Sequence, residues 1–111
     1  MGSMPMNSKL TGRSYTMFIE AQHSEATKEA YTYFLLKYMG FLSCQTNNTD
    51  VLLQYEVKTI QSQIIDYILY LKKTLRSSTI KSQISSVISF YMLNDIVLNS
   101  KLLFRYVCSV A

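Results

Sequence analysis

Apolar residues recur along most of the chain at the spacing of helical turns. After Ser24, the aromatic residues Phe34, Tyr38 and Phe41 follow one another at intervals of four and three residues. This spacing places their side chains on one face of a helix. Ser24 is a favourable N-cap residue, and Gly40 is typical of a helix end. The sequence therefore predicts a first helix from Ser24 to about Gly40.

The same periodicity predicts three more helices in the second half of the chain. We expect the second over residues 58–74, and a fourth over residues 100–110. The third begins at a cap provided by Ser77 or Ser78 and ends near residue 94. Several β-branched residues in these helices also suit strands, but they do not alternate with a period of two. The predicted apolar faces of the second and third helices contain Ile60, Ile64, Ile68, Leu71, Leu75, Ile80, Ile84, Val87, Ile88 and Tyr91.

The N-terminal segment lacks this periodicity. Met1-Gly2-Ser3-Met4 is typical of a cloning remnant. Residues 5–22 hold the only proline, one glycine and several Ser, Thr and Asn residues. Such a composition predicts a poorly ordered stretch. We expect residues 1–22 to form a tag remnant and a flexible arm, with a short helical or extended piece at residues 15–19.

The remaining segments connect the helices. Residues 43–50 predict a polar loop, and residues 51–55 predict a short connector that is either extended or helical. Four amphipathic helices joined by short connections can bury one shared core. A chain of 111 residues is typical of a single domain. The predicted fold class is therefore all-α, a compact bundle of four main helices over residues 23–111.

Charge is distributed unequally between the two halves of the chain. Up to Glu56 there are four basic and five acidic residues, whereas from Val57 onward there are seven basic and two acidic residues. The net charge of +4 therefore comes from the second half. A basic half favours a surface that faces a polyanion such as a nucleic acid.

The chain lacks the residue combinations on which catalysis and metal binding depend. Its single histidine, His23, has no surrounding pattern of ligands, and Cys44 and Cys108 are isolated in the sequence. Outside the cloning remnant only two glycines remain, which excludes a glycine-rich phosphate loop. We therefore expect a chain that is not an enzyme by itself and that holds no metal and no cofactor.

Signals for secretion and for membrane insertion are also missing from the sequence. The longest apolar runs are only a few residues long, whereas a membrane span needs roughly 18 or more. The N-terminal residues lack the charged and then apolar layout of a secretory signal. These features predict an intracellular, cytoplasmic protein that does not bind membranes.

Four segments carry a distinctive combination of residues. They are Ser24-x-x-Thr27-x-x-x-Tyr31-x-x-x-Leu35, Tyr70-Leu71-Lys72-Lys73, Ser77-Ser78-Thr79-Ile80-Lys81-x-x-Ile84-Ser85-Ser86-Val87-x-x-Phe90-Tyr91, and Asn94-Asp95-Ile96-x-Leu98-Asn99. In this order they resemble the core-binding domain of phage-type integrases, the tyrosine recombinases. The resemblance covers residues 24–108, and the third segment matches best. Ser89 departs from the pattern, because the family often has a basic residue there.

The resemblance implies a SAM-like helical fold and a role in site-specific DNA recombination. Such a domain grips one face of the duplex at the recombination site and positions a catalytic domain on the other face. The implied partners are double-stranded DNA, the catalytic domain of the same parent chain and other recombinase protomers. The origin implied is prokaryotic or viral. The nucleophilic tyrosine belongs to the catalytic domain, so no tyrosine of this sequence inherits that role.

Candidate DNA-binding residues cluster around the start of the predicted third helix. Basic side chains, hydroxyl groups and a helix N-terminus are the groups that bind backbone phosphates. Thr27 and Lys28 are added because they match positions near the DNA in the resembling family. Ser82 and Gln83 are candidates for base contacts if the third helix enters the major groove. The complete predicted set is Thr27, Lys28, Lys72, Lys73, Arg76, Ser78, Thr79, Lys81, Ser82 and Gln83.

Two other functions stay open from the sequence. A helical protein-interaction module would dock a partner through apolar residues off the main stripes, with Tyr33, Met39, Leu69 and Met92 as candidates. A helix-turn-helix transcription regulator would use the second and third helices and would form a stable dimer on palindromic sites. The end of the sequence at Ala111, where a linker to a catalytic domain is expected, favours a piece cut from a longer chain.

Overall fold

A computed structural model describes residues 10–108, and the regular secondary structure of this part is helical. The described part contains no β-strand, only an isolated parallel bridge between Thr11 and Asn48. The predicted all-α class is therefore confirmed, although there are five α-helices and not four. They are α1 (Arg13–Glu20), α2 (Glu25–Phe41), α3 (Val57–Leu71), α4 (Ser77–Leu93) and α5 (Ser100–Cys108), with a 3₁₀ helix (Thr49–Gln54) between α2 and α3.

Helix α1 corrects the prediction of an N-terminal arm. Its side chain Phe18 is fully buried. The Phe18 ring stacks on Tyr31 of α2 at a centroid distance of 5.6 Å and meets Phe90 of α4 edge-on at 5.5 Å. Leu10, just before the helix, is also buried. Residues 10–20 are therefore part of the bundle, because their apolar side chains fill the space between α2 and α4. The predicted cloning remnant lies outside the described residues.

The predicted helix ends are right for α2 and partly wrong for α4. The Oγ atom of Ser24 accepts a hydrogen bond from the Thr27 N–H at 3.1 Å, as expected of an N-cap. Helix α4 instead has Arg76 at its N-cap position, with no capping side chain. Ser77 and Ser78 lie inside the first turn, so neither caps the helix. Helix α3 ends at Leu71, earlier than predicted, and residues 72–76 form the turn that leads to α4.

Helix α4 is the centre of the bundle and packs against all four other α-helices. Its buried side chains face in several directions, because a helix enclosed by neighbours must be apolar over most of its surface. The loop after α2 joins this core through the buried Leu52 of the 3₁₀ helix. The fully buried side chains of α4 are Ile84, Ser86, Val87, Phe90 and Tyr91, with Ile80 almost as deeply buried.

Three helix ends meet at the turn between α3 and α4. Phe41, the last residue of α2, packs its ring against Tyr67 and Tyr70 of α3 at centroid distances of 5.0 and 5.1 Å. The end of α5 approaches from another side, where Ser77 Oγ donates to the Val107 carbonyl at 3.4 Å. The fold therefore surrounds residues 72–76 with the C-terminal ends of α2, α3 and α5.

Candidate nucleic-acid interface

The turn of residues 72–76 and the first turns of α4 present a basic surface, which we call the basic turn. Its exposed cations are Lys73, Arg76 and Lys81. Within residues 10–108, no carboxylate lies within 4.0 Å of any of these three side chains; the ion pair present there joins Lys28 to Glu25. Because no carboxylate of the described residues neutralises their charges, these side chains can bind an external anion.

The start of α4 adds hydrogen-bond donors to the basic turn. The N–H groups of Thr79 and Ile80 bond to the Arg76 carbonyl, and no side chain of the described region caps the helix. The first N–H groups of a helix have no partner within the helix and carry its positive dipole end. Ser78 and Thr79 are exposed beside them. This combination of charge, N–H groups and hydroxyl groups suits a phosphate.

Lys72 has a structural contact that the other predicted cations lack. Its Nζ atom donates to the Tyr106 carbonyl at 2.8 Å, in the last turn of α5. Carbonyl groups at a helix C-terminus have no partner within the helix, and a lysine there stabilises them. Lys72 therefore joins the α3–α4 turn to α5, in addition to any contact with an external ligand.

The position of Gln83 contradicts its predicted role in base contacts. Only 4% of the residue is exposed. The Tyr67 hydroxyl donates to Gln83 Oε1 at 3.4 Å across the α3–α4 interface. Gln83 lies on the buried side of α4 and therefore cannot reach a groove of DNA. Ser82, its neighbour, is exposed and its Oγ atom donates to the Ser78 carbonyl at 3.4 Å, so it stays a candidate.

Thr27 and Lys28 do not join the basic turn. They lie in the first turn of α2, whereas the last residue of α2 packs beside Tyr70. Thr27 precedes Gly40 by 13 residues, which corresponds to about 20 Å along the helix. Lys28 Nζ is 3.5 Å from the carboxylate of Glu25, so part of its charge is neutralised. The predicted residues therefore fall into two separate places on the molecule.

Three tyrosines of α2, α3 and α4 are buried, and burial changes the pKa values of their hydroxyl groups. Desolvation raises the pKa of Tyr67 to about 12. It also raises the pKa values of Tyr38 and Tyr91. A phenol with a raised pKa forms the nucleophilic phenolate less readily. These three residues are therefore packing residues whose hydroxyl groups stay protonated.

An aromatic cleft next to the basic turn was missed from the sequence. It has a volume of about 360 Å³ and lies between the C-terminal ends of α2 and α3. A sequence signal exists, because Tyr33, Lys37 and Phe41 recur every four residues on α2. This stripe indicates a cleft only when it is known which helix packs against it. The residues that line the cleft are Lys37, Gly40, Phe41, Tyr67, Tyr70, Leu71, Thr74 and Leu75.

The described region offers neither a metal centre nor a membrane span. Over residues 10–108, no group of three His, Cys, Asp or Glu side chains is arranged to hold a metal ion. In the same part of the chain, every helix is too short or too polar to cross a bilayer. Comparisons with protein-family models, with curated proteins and with solved structures gave no match for this chain.

Proposed function

We propose that the chain is a DNA-binding domain of a tyrosine recombinase of the integrase type. The observation that carries the proposal is the basic turn, where the exposed side chains Lys73, Arg76 and Lys81 lie within four residues of the uncapped start of α4. The order of helical segments that resembles the integrase core-binding domain supports the same function. On this proposal the basic turn binds the phosphate backbone of a duplex at the recombination site.

The proposed contact is mainly electrostatic. Each lysine or arginine that neutralises a phosphate releases counterions from DNA, and this release supplies most of the affinity. The N–H groups at the start of α4 fix the orientation of one phosphate. With Gln83 buried, few side chains remain to read bases. Binding by this chain alone is therefore weak and largely independent of sequence.

Cleavage of DNA belongs, on this proposal, to a catalytic domain outside the chain. The domain described here holds the duplex and positions that catalytic domain, and other recombinase protomers assemble on the same DNA. A cytoplasmic location and a prokaryotic or viral origin are part of the same proposal.

A salt titration of binding to a DNA duplex tests the proposal. The logarithm of the binding constant is expected to fall linearly with the logarithm of salt concentration, with a slope of about −0.9 for each phosphate contact. Replacing Lys73, Arg76 and Lys81 together by alanine should weaken binding and make the slope shallower by about 2 to 3. Lys72 is left unchanged because its contact with Tyr106 supports the fold.

The matched control is Lys58→Ala, which removes one exposed lysine charge away from the basic turn. Lys58 is exposed at the start of α3 and precedes Leu71 by 13 residues, or about 20 Å of helix. This variant should keep nearly all of the affinity and the slope. An affinity that does not change with salt, or a triple variant that binds like the unchanged chain, would rule out the basic turn as the phosphate site.

A second candidate function is a protein-interaction module, favoured by an apolar groove between α4 and α5. The groove has a volume of about 480 Å³. Met92 on its rim is 49% exposed, as expected for a docking residue. Met39 was also predicted to be a docking residue, but it is buried and cannot contact a partner. Self-association that depends on concentration without DNA, and that Met92→Ser abolishes, would favour this function. The groove is lined by Ser85, Ile88, Ser89, Met92, Leu93, Ser100 and Phe104.

A further inference from the structure

We propose that the aromatic cleft between α2 and α3 binds an unpaired nucleobase of a DNA strand held at the basic turn. The proposal deepens the proposed function, because the duplex on the basic turn would deliver the strand. The cleft and the basic turn are adjacent, since Thr74 and Leu75 line the cleft and Arg76 follows directly. A strand that leaves the duplex at Arg76 is therefore next to residues that line the cleft.

The rings of the cleft are arranged as a surface for stacking. The floor is Tyr67, which is buried and tilted against Phe41. Tyr70 is 54% exposed, and its ring packs against Phe41 and lies nearly parallel to Tyr67 at a centroid distance of 6.4 Å, so a ligand can meet only the part of the ring that these two leave accessible. Unpaired bases stack on such aromatic side chains in proteins that bind single strands. Paired bases cannot do so, because both of their faces are covered by neighbours in the duplex.

The charges around the cleft favour a nucleotide over a neutral aromatic group. Lys37 lines the cleft, and its ammonium group lies 5.4 Å from the ring centre of Tyr33, an exposed residue one turn earlier on α2. The lining residues in the described region include no carboxylate. Asp66, one turn before Tyr70 on α3, is outside the lining. Lys37 can therefore bind the phosphate next to a stacked base.

The size of the cleft agrees with this ligand. Its volume of about 360 Å³ lies at the lower end of the range for small-molecule sites, roughly 300–1,000 Å³. A peptide helix from a protein partner would need a longer groove with several anchor pockets along it. One base with its phosphate is the ligand that matches both the rings and the lysine.

Two DNA probes test the proposal in the unchanged chain. One is a blunt duplex, and the other is the same duplex with a short single-stranded tail that contains 2-aminopurine. We expect the tail to increase affinity about five-fold or more, the smallest gain typical of one stacked base. The fluorescence of 2-aminopurine should decrease on binding, because stacking on Tyr70 quenches it.

Variants assign the effect to the cleft. Tyr70→Ser should remove both the gain from the tail and the quenching, while affinity for the blunt duplex stays the same. Tyr70→Phe keeps the ring and should retain both effects. Tyr55→Ser is the matched control, because Tyr55 is another exposed tyrosine, 47% accessible, that is not part of the cleft. It should change neither measurement.

The outcomes separate this inference from the proposed function. A tail that adds no affinity, or a gain that survives Tyr70→Ser, would overturn the cleft as a base site while leaving duplex binding intact. Quenching of the tailed probe that depends on Tyr70, together with no binding of the blunt duplex, would support the cleft and refute the duplex-binding role. A cleft that instead docks a protein would give no quenching with any DNA probe.

Discussion

At the scale of single residues, the contribution of a buried hydroxyl group to stability depends on whether it has a hydrogen-bond partner. The hydroxyl groups of Tyr38 and Tyr91 are buried between α2 and α4, and within residues 10–108 neither makes a hydrogen bond of normal geometry. The two residues are close enough that each affects the pKa of the other. The hydroxyl of Tyr67, by contrast, donates to Gln83. A buried polar group without a partner costs free energy, whereas a bonded one stabilises the fold.

Replacing these tyrosines by phenylalanine should therefore have opposite effects on stability. Tyr91→Phe removes a hydroxyl group that lost its water on folding, so the free energy of unfolding should stay equal or rise by up to about 1 kcal/mol. Tyr67→Phe leaves Gln83 Oε1 unpaired in the core and should lower the free energy of unfolding by about 1 kcal/mol or more. Urea denaturation measures both values. A Tyr91→Phe variant less stable than Tyr67→Phe would contradict this ordering.

Gln83 shows what a sequence cannot reveal at this scale. A glutamine beside a basic turn is a reasonable DNA-contacting residue, although Ile80 and Val87, three residues before and four residues after it, place position 83 next to the apolar stripe of α4. The sequence does not reveal its partner, the Tyr67 hydroxyl on another helix, 16 residues earlier. The exposure of Lys73 and Arg76 was easier to predict, because long charged side chains are rarely buried without a partner.

At the scale of helices, local signals predict some ends and long-range contacts determine others. Ser24 caps α2 through a neighbour three residues away, so the sequence pattern was sufficient. Helix α1 starts differently. Its Ser14 N–H donates to Asp50 Oδ1 at 2.9 Å, across 36 residues of sequence. Gly12, with a φ angle of 106°, makes this approach possible because a Cβ there would collide with Asn48. A cap this distant gives no local signal.

The cap of α1 by Asp50 can be tested by mutation at two pH values. Hydrogen bonds from the Ser14 side chain and backbone hold the pKa of the Asp50 carboxyl below its usual value. A lowered pKa in the folded state means stability that is present above the ordinary aspartate pKa of about 4 and is lost as pH falls below it. Asp50→Ala should cost about 1 kcal/mol near neutral pH. The two proteins should become equally stable in strong acid.

Asp66→Ala is the control for this comparison, because Asp66 is exposed on α3 and has no hydrogen bond or ion pair within residues 10–108. It should change stability little at either pH. Urea denaturation near neutral pH and in acid gives all six values. A difference between the unchanged chain and Asp50→Ala that is the same at both pH values would show that ionisation of Asp50 does not support the cap.

At the scale of the whole molecule, the sequence predicted the charge asymmetry but not where it would be placed. The basic second half was visible from composition alone. The folded chain puts residues 72–76 beside the ends of α2 and α5, and it leaves Thr27 and Lys28 at the far end of α2. Which helix faces which depends on the shapes of buried side chains. Periodicity identifies the apolar face of each helix, but it does not pair the faces.

Burial of tyrosine hydroxyl groups makes the stability of the whole bundle sensitive to alkaline pH. Burial raises the pKa of Tyr67 to about 12 and also raises those of Tyr38 and Tyr91. In the unfolded chain these phenols ionise at the ordinary value of about 10. A raised pKa in the folded state means stability that is fully present below pH 10 and is lost as pH rises above it. The bundle should therefore unfold at alkaline pH.

Tyrosinate absorbance and circular dichroism, measured together during a pH titration, test this coupling. The chain contains nine tyrosines, and in urea all should ionise together near their ordinary pKa. In the folded protein the last three should ionise only as the helical signal disappears, because their hydroxyl groups lie inside the core. Ionisation of every tyrosine near pH 10 with the helical signal unchanged would mean that Tyr38, Tyr67 and Tyr91 contact water. The packing of α2, α3 and α4, on which the cleft and the basic turn depend, would then be wrong.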